Sequence, residues 1–169
     1  MTLATSRSIT LGAPAAMSDA EPRRILAIDY GRKRMGLALS DELQMTAQPL
    51  LVLGRTNRRN DFRRLREICR KHGVTRILVG HPVHITGQVG EMADEAAQFA
   101  ARLQKELGIE VKLADERLTT WEAEQIVARR KSPNRRKKPS VDDVAAAVLL
   151  REYLDRNRAQ TEHVAAERE

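Results

Sequence analysis

The sequence predicts an α/β layer fold, a mixed β-sheet flanked by helices. Three observations predict it. Two strand-type apolar runs, ILAIDYG at 25–31 and MGLALSD at 35–41, are separated by a tight charged turn, so they form a hairpin and with it an antiparallel part of the sheet. Further along, strand-type runs alternate with segments of helix length whose apolar residues recur at helical spacing, as parallel crossovers require. The chain has 169 residues, 41% of them hydrophobic, enough for one domain with a sizeable core.

The elements follow in order. After the hairpin comes a short third strand near 48–53. DFRRLREICRKHG then sets Phe62, Leu65, Ile68 and Cys69 at helical spacing and stops at Gly73, a C-terminal cap residue. VTRILVGHP (74–82) reads as a buried strand closed by Gly80 and Pro82. Met92, Ala96, Phe99, Ala100, Leu103 and Leu107 mark a longer amphipathic helix ended by Gly108, and IEVKLADE (109–116) alternates like a strand. Two capping boxes, Thr119 with Glu122 and Ser140 with Asp143, open two last helices. The second of these carries Val141, Ala145, Val148, Leu149 and Tyr153 on its apolar side. Residues 1–22 are rich in Ala, Ser and Thr and are broken by Pro14, with no charged segment followed by an apolar one, so they are expected to be a disordered leader and not a signal peptide. Met17 is an alternative start. Residues 23–156 form the single domain, and 157–169 a polar tail, frayed or helical.

Composition narrows the function classes. The net charge of +7 and the high pI of about 10.1 favour polyanionic partners, because Lys and Arg that neutralise phosphates release condensed counterions. Aromatic residues are only 3%, which argues against a single-strand binder built on stacked rings. The lone Cys69 excludes an intramolecular disulfide, consistent with a reducing, cytoplasmic setting. No apolar run approaches the roughly 18–20 residues of a spanning helix, so no membrane partner is expected.

Three acidic positions fall at element ends. Asp29 closes the run ILAI, Asp115 and Glu116 close VKLA, and Asp142 and Asp143 open the last helix. In α/β sheets, sites form at the carboxyl ends of strands, and carboxylates gathered there repel one another unless a cation offsets them. Mg²⁺ suits such a place, and two ions roughly 3.5–4 Å apart can activate a water and stabilise the leaving oxygen of a phosphodiester. Metal-assisted phosphodiester hydrolysis is the functional reading. Each position also has a plain structural one: Asp29 as a turn former, Asp142 and Asp143 as helix-dipole partners, Asp115 and Glu116 as a solvated strand end beside Arg117.

Taken together, ILAIDYGRKRMGLALSD, VGHPVHITG, DERLTTWEA and VDDVAAAVLLREYL resemble the YqgF or RuvX family, whose members are named pre-16S rRNA nucleases or Holliday junction resolvases. The resemblance spans about residues 24–154. It implies an RNase H-like mixed sheet flanked by helices, a divalent-metal-dependent structure-specific endonuclease, and three carboxylates that are both catalytic and metal-ligating. Carried onto this chain, these are Asp29, Glu116 and Asp142, with Mg²⁺ or Mn²⁺, two ions, as the cofactor. Strand alternation puts Asp115 and Glu116 on opposite faces, so one of the pair faces the metals. Asp143 is the cap, and with Asp115 it is a second choice as ligand. His81 and the VHIT loop, with His84, depart from the family's common pattern and are candidate substrate contacts.

Basic residues gather in two segments. Residues 55–76 and residues 129–138 each carry a net +7, leaving the rest of the chain at −7. The second segment holds Arg129, Arg130, Lys131, Arg135, Arg136, Lys137 and Lys138, contains Pro133 and precedes Pro139, so it reads as a loop leading to Asp142. A cationic loop beside a carboxylate site would hold a phosphate backbone over the metals. In the first segment Arg63, Arg66 and Arg70 share a helix face, and Arg32, Lys33 and Arg34 lie in the hairpin turn beside Asp29. Arg117 completes the set of candidate nucleic-acid contacts. A solvated charge run is the alternative for each.

Branched DNA and precursor rRNA both fit as substrate, and junction cutting would favour a homodimer that offers two sites to two symmetric strands. Two other classes compete with this reading. A non-catalytic nucleic-acid binder on the same scaffold would not need all three acidic positions. An actin-like ATPase fragment is suggested by Asp29-Tyr30-Gly31 followed by Gly36, but such proteins need a second related domain and another glycine-rich loop, and residues 115–120 contain no glycine.

Overall fold

Strand β1 (Arg24–Asp29) lies at the middle of a five-stranded sheet, and the rest of the fold is arranged around it. The computed structural model describes residues 23–80, 89–114 and 141–166. β2 (Arg34–Ser40) folds back antiparallel on β1, and β3 (Ala47–Gly54) pairs antiparallel with β2. Helix α1 (Arg58–His72) leads to β4 (Val74–Gly80), parallel to β1 on its other side. Helix α2 (Val89–Leu107) leads to β5 (Glu110–Leu113), parallel to β4. The sheet order is β3-β2-β1-β4-β5, and helix α3 (Val141–Ala166) packs across it. The mixed, helix-flanked sheet expected from sequence is the one observed. The helix expected from Thr119 lies outside the described residues.

Strand alternation sorts the core into two layers. Leu26, Ile28 and Tyr30 of the first strand segment join Met35, Leu37, Ile77 and Val79 beneath α1 and α2, where Phe62, Leu65, Phe99 and Leu103 close the layer. Ile25, Ala27, Ala38 and Leu78 face the other way, against Ala146, Leu150 and Leu154 of α3. The α3 side of the sheet is built from smaller residues, which lets the helix come close to the strands.

The start of α1 and the side that α3 buries differ from the sequence reading. Helix α1 begins at Arg58, three residues before Asp61, because the side chain of Asn57 caps it by accepting from the Asn60 N–H at 2.9 Å. Its end at Gly73, in the left-handed conformation with φ 64°, is as expected. On α3 the buried residues are Val144, Ala146, Val148, Leu150 and Leu154, so Val148 is buried as expected, whereas Ala145, Leu149 and Tyr153 are only partly buried. The stretch VAAAVLL is apolar all round, so spacing alone does not select the side that meets the sheet.

Candidate active site

Asp29 ends the central strand. Its four predecessors from Ile25 to Ile28 are wholly inaccessible, and Asp29 itself is 9% exposed, so the carboxylate sits where the buried strand first approaches solvent. Alternation puts it on the same side as Ile25 and Ala27, the side covered by α3. Its register partners are both glycines, Gly36 on β2 and Gly80 on β4. Helix α3 runs antiparallel to β4. Leu149 lies over Gly80 at the carboxyl end of that strand, while Tyr153, one turn later, meets Arg76 near its start at 3.5 Å. The helix N-terminus, with Asp142 two turns before Leu149, is therefore at the same end of the sheet as Asp29. A helix N-terminus there adds a positive field that favours a carboxylate such as Asp29.

The residues just after Asp29 are fastened from several directions. The Tyr30 N–H donates to the Gly80 carbonyl at 2.7 Å, which extends the β1–β4 pairing by one residue. Gly31 packs so tightly that a Cβ there would collide with the Arg34 carbonyl oxygen. Arg55 Nη1 donates to the Gly31 carbonyl at 3.0 Å, and the Arg55 guanidinium lies 5.0 Å from the Tyr30 ring centre and 5.7 Å from that of Phe99. Asp61, 1% exposed, accepts from Arg55 Nε at 3.3 Å and from the Thr56 N–H at 3.1 Å. Sequence reasoning missed both residues. Arg55 is hidden among other cations, and Asp61 has the ordinary look of an acid in a helix's first turn.

Over residues 23–156 the chain matches the family model described as RuvX, Holliday junction resolvase. The chain belongs to the RuvX family. A relative from Syntrophus aciditrophicus, provisionally named a pre-16S rRNA nuclease, is 43% identical over 132 residues, covering 78% of this chain and 88% of the relative. A second, from Moorella thermoacetica with the same provisional name, is 41% identical over 133 residues, covering 79% and 95%. Among solved structures, T. thermophilus RuvC in complex with Holliday junction substrate superposes with a TM-score of 0.53 at 15% identity, covering 81% of this chain and 96% of that one. That likeness shows the RNase H-like fold. Family membership makes this chain a nuclease by class.

In this RuvX chain the candidate cations divide by what surrounds them. Arg32 points to α2, pairing with Glu95 at 2.6 Å and Glu91 at 3.4 Å, and its hydrogen bond holds the Glu95 carboxyl below the ordinary range. Arg63 pairs with Glu67 at 2.7 Å, and Arg66 donates to the Glu106 carbonyl at 2.8 Å, so both have acceptors on the protein itself. Lys33 and Arg34 are exposed at the hairpin, and Arg70 is exposed in the last turn of α1, far from Asp29. Asp115, Glu116, Arg117, Arg129, Arg130, Lys131, Arg135, Arg136, Lys137, Lys138, His81 and His84 lie outside the described residues, as do the side chains of Asp142 and Asp143. Among the described residues no group of three or more His, Cys, Asp or Glu side chains could hold a metal, and Asp29 is the one described carboxylate of the expected triad. Its chemistry fits a hard divalent cation: an oxygen donor, largely buried, at a strand end whose direct register partners are glycines. No described helix is long and apolar enough to cross a membrane.

Proposed function

We propose that this chain is a divalent-metal-dependent, structure-specific endonuclease that hydrolyses phosphodiester bonds in branched DNA or precursor rRNA. One observation carries the reading: in a RuvX chain, the carboxylate of Asp29 stands at the end of the central strand, on the side and at the end where α3 begins. Asp29, Glu116 and Asp142 would hold Mg²⁺ or Mn²⁺, with Asp115 and Asp143 as second choices. When bound, two such ions lower the pKa of a water and stabilise the leaving oxygen. The protein's own part is to present carboxylates from rigid elements and to bind the phosphate backbone through cations. Arg117 and the segment from Arg129 to Lys138 serve the backbone in this reading, together with Lys33 and Arg34. The family description points to junction DNA, and the relatives' provisional names to precursor 16S rRNA. A two-fold dimer would serve the first substrate, and either places the work in the cytoplasm.

The test sets Mg²⁺- or Mn²⁺-dependent cleavage of a synthetic four-way junction beside that of a precursor rRNA leader, with Asp29→Asn as control. Cleavage by the parent chain and its loss in Asp29→Asn, with folding and nucleic-acid affinity retained, is the expected result. Undiminished cleavage by Asp29→Asn would overturn the site. The substrate that is cut decides between junction and rRNA.

A further inference from the structure

At the Asp29 end of the sheet, on the corner away from α3, four exposed cations gather: Lys33, Arg34, Arg58 and Arg59. Lys33 lies at the tip of the β1–β2 hairpin, and its carbonyl accepts from the Arg55 N–H at 2.9 Å. Arg34, also exposed, is the register partner of Gly54, the last residue of β3. Three residues past Arg55, helix α1 opens with Arg58 and Arg59, both exposed. Among the described residues, Lys33, Arg58 and Arg59 make no ion pair.

The nearby acids are occupied elsewhere. Asp61, the acid of the first helical turn, is turned inward on Arg55, Glu67 pairs with Arg63, and Glu91 and Glu95 hold Arg32. The corner keeps its charge. The N-terminus of α1 adds positive potential of its own. Two strand spacings, about 10 Å, separate β3 from β1, so the corner lies within a few nucleotides of any phosphate held at Asp29.

Among the described residues the rings near this end, Tyr30, Phe62 and Phe99, are buried in the core, so none of them offers a platform for stacked bases beside the charge. A surface that offers charge without rings reads a backbone and not bases. We propose that Lys33, Arg58 and Arg59 form a landing surface for the phosphate backbone of a double-stranded arm, DNA or RNA, that flanks the bond to be cut. This rests on the nuclease reading above, and it assigns the arm's contact to the hairpin tip and the start of α1, not to the exposed face of α1 as a whole.

The experiment measures binding of short DNA and RNA duplexes to the full chain over a range of salt, without divalent metal so that nothing is cut. Arg58→Gln/Arg59→Gln is compared with Lys71→Gln/Lys105→Gln, which removes the same charge from the last turns of α1 and α2 at the opposite end of the sheet. The first pair is expected to reduce the salt slope by about two and to weaken binding roughly tenfold, and the second to leave the slope unchanged. The duplex that shows the difference, DNA or RNA, names the source of the backbone. Equal losses in both pairs would mean that only bulk charge matters, and no loss in either would place the arm elsewhere; each result overturns the proposal. If the parent chain cleaves its substrate while the corner variant keeps its salt slope, this surface fails and the nuclease reading stands. If the parent binds neither duplex and cleaves nothing, both fail.

Discussion

Arg55 holds the carbonyl of Gly31, two residues beyond Asp29, at 3.0 Å. The same guanidinium reaches the carboxylate of Asp61, so the hairpin turn after the central strand is tied to the start of α1 through one side chain. Removing Arg55 would leave a nearly inaccessible carboxylate with only its remaining donor at Thr56. Arg55→Ala is expected to lower stability by about 3 kcal/mol, seen as a lower denaturant midpoint. The double variant Arg55→Ala/Asp61→Ala should lose less than the two single losses combined, since neither then strands the other. Additive losses would contradict the coupling.

Gly80 and Leu149 set how close α3 sits to the Asp29 end of the sheet. A Cβ on Gly80 would lie 2.7 Å from Leu149 Cδ2 and 2.9 Å from Cδ1, so Gly80→Ala must push the leucine or the helix outward. A cost of about 1–3 kcal/mol is expected. Leu149→Ala in the same chain should recover part of it, as measured by a double-mutant cycle, and cleavage should fall in Gly80→Ala more than in Leu149→Ala if helix position matters to the site.

The Arg32–Glu95 pair makes a pH prediction. The Arg32 hydrogen bond lowers the Glu95 pKa, so this contribution to stability is complete above the ordinary glutamate range and is lost as pH falls through the lowered value. The stability difference between the parent chain and Arg32→Gln should be present near pH 7 and be lost in acid, once the pH is below the lowered Glu95 value. It will be small, because Arg32 is exposed and Glu95 only partly buried, so solvent and salt screen the pair. Urea midpoints near pH 7 and in acid, at low and high salt, check both statements.

Cys69 is 2% exposed, and burial pushes its thiol up to about 11. Almost no thiolate is present at neutral pH, and no reagent can approach it without local opening. Labelling by a disulfide reagent should be slow in the folded chain and immediate in urea. Rapid labelling of the native protein would show that the layer under α1 opens readily.

Much of this fold is legible in the sequence because the signals are local. Gly31 and the two apolar runs mark the hairpin, Gly73 marks the end of α1, and a single carboxylate closing ILAI marks Asp29. What was missed depends on tertiary contact. The start of α1 rests on Asn57, inconspicuous beside a run of charged residues, and the side of α3 that meets the sheet cannot be read from a stretch that is apolar all round. Arg55 and Asp61 are ordinary surface types until folding brings them under the hairpin turn. Charge spacing was equally blind to partners: Arg63 and Arg66 share a helix face with Arg70, but their acceptors come from their own helix and from the end of α2.

The central position of β1 also determines how the site can move. Its amides and carbonyls are bonded to neighbours on both sides, and its residues before Asp29 are wholly inaccessible. Such a strand exchanges its amide hydrogens only when the whole domain unfolds. The backbone of Asp29 is therefore expected to lie in the slowest-exchanging part of the molecule, and in the proposed reaction substrate would adapt to this carboxylate's position.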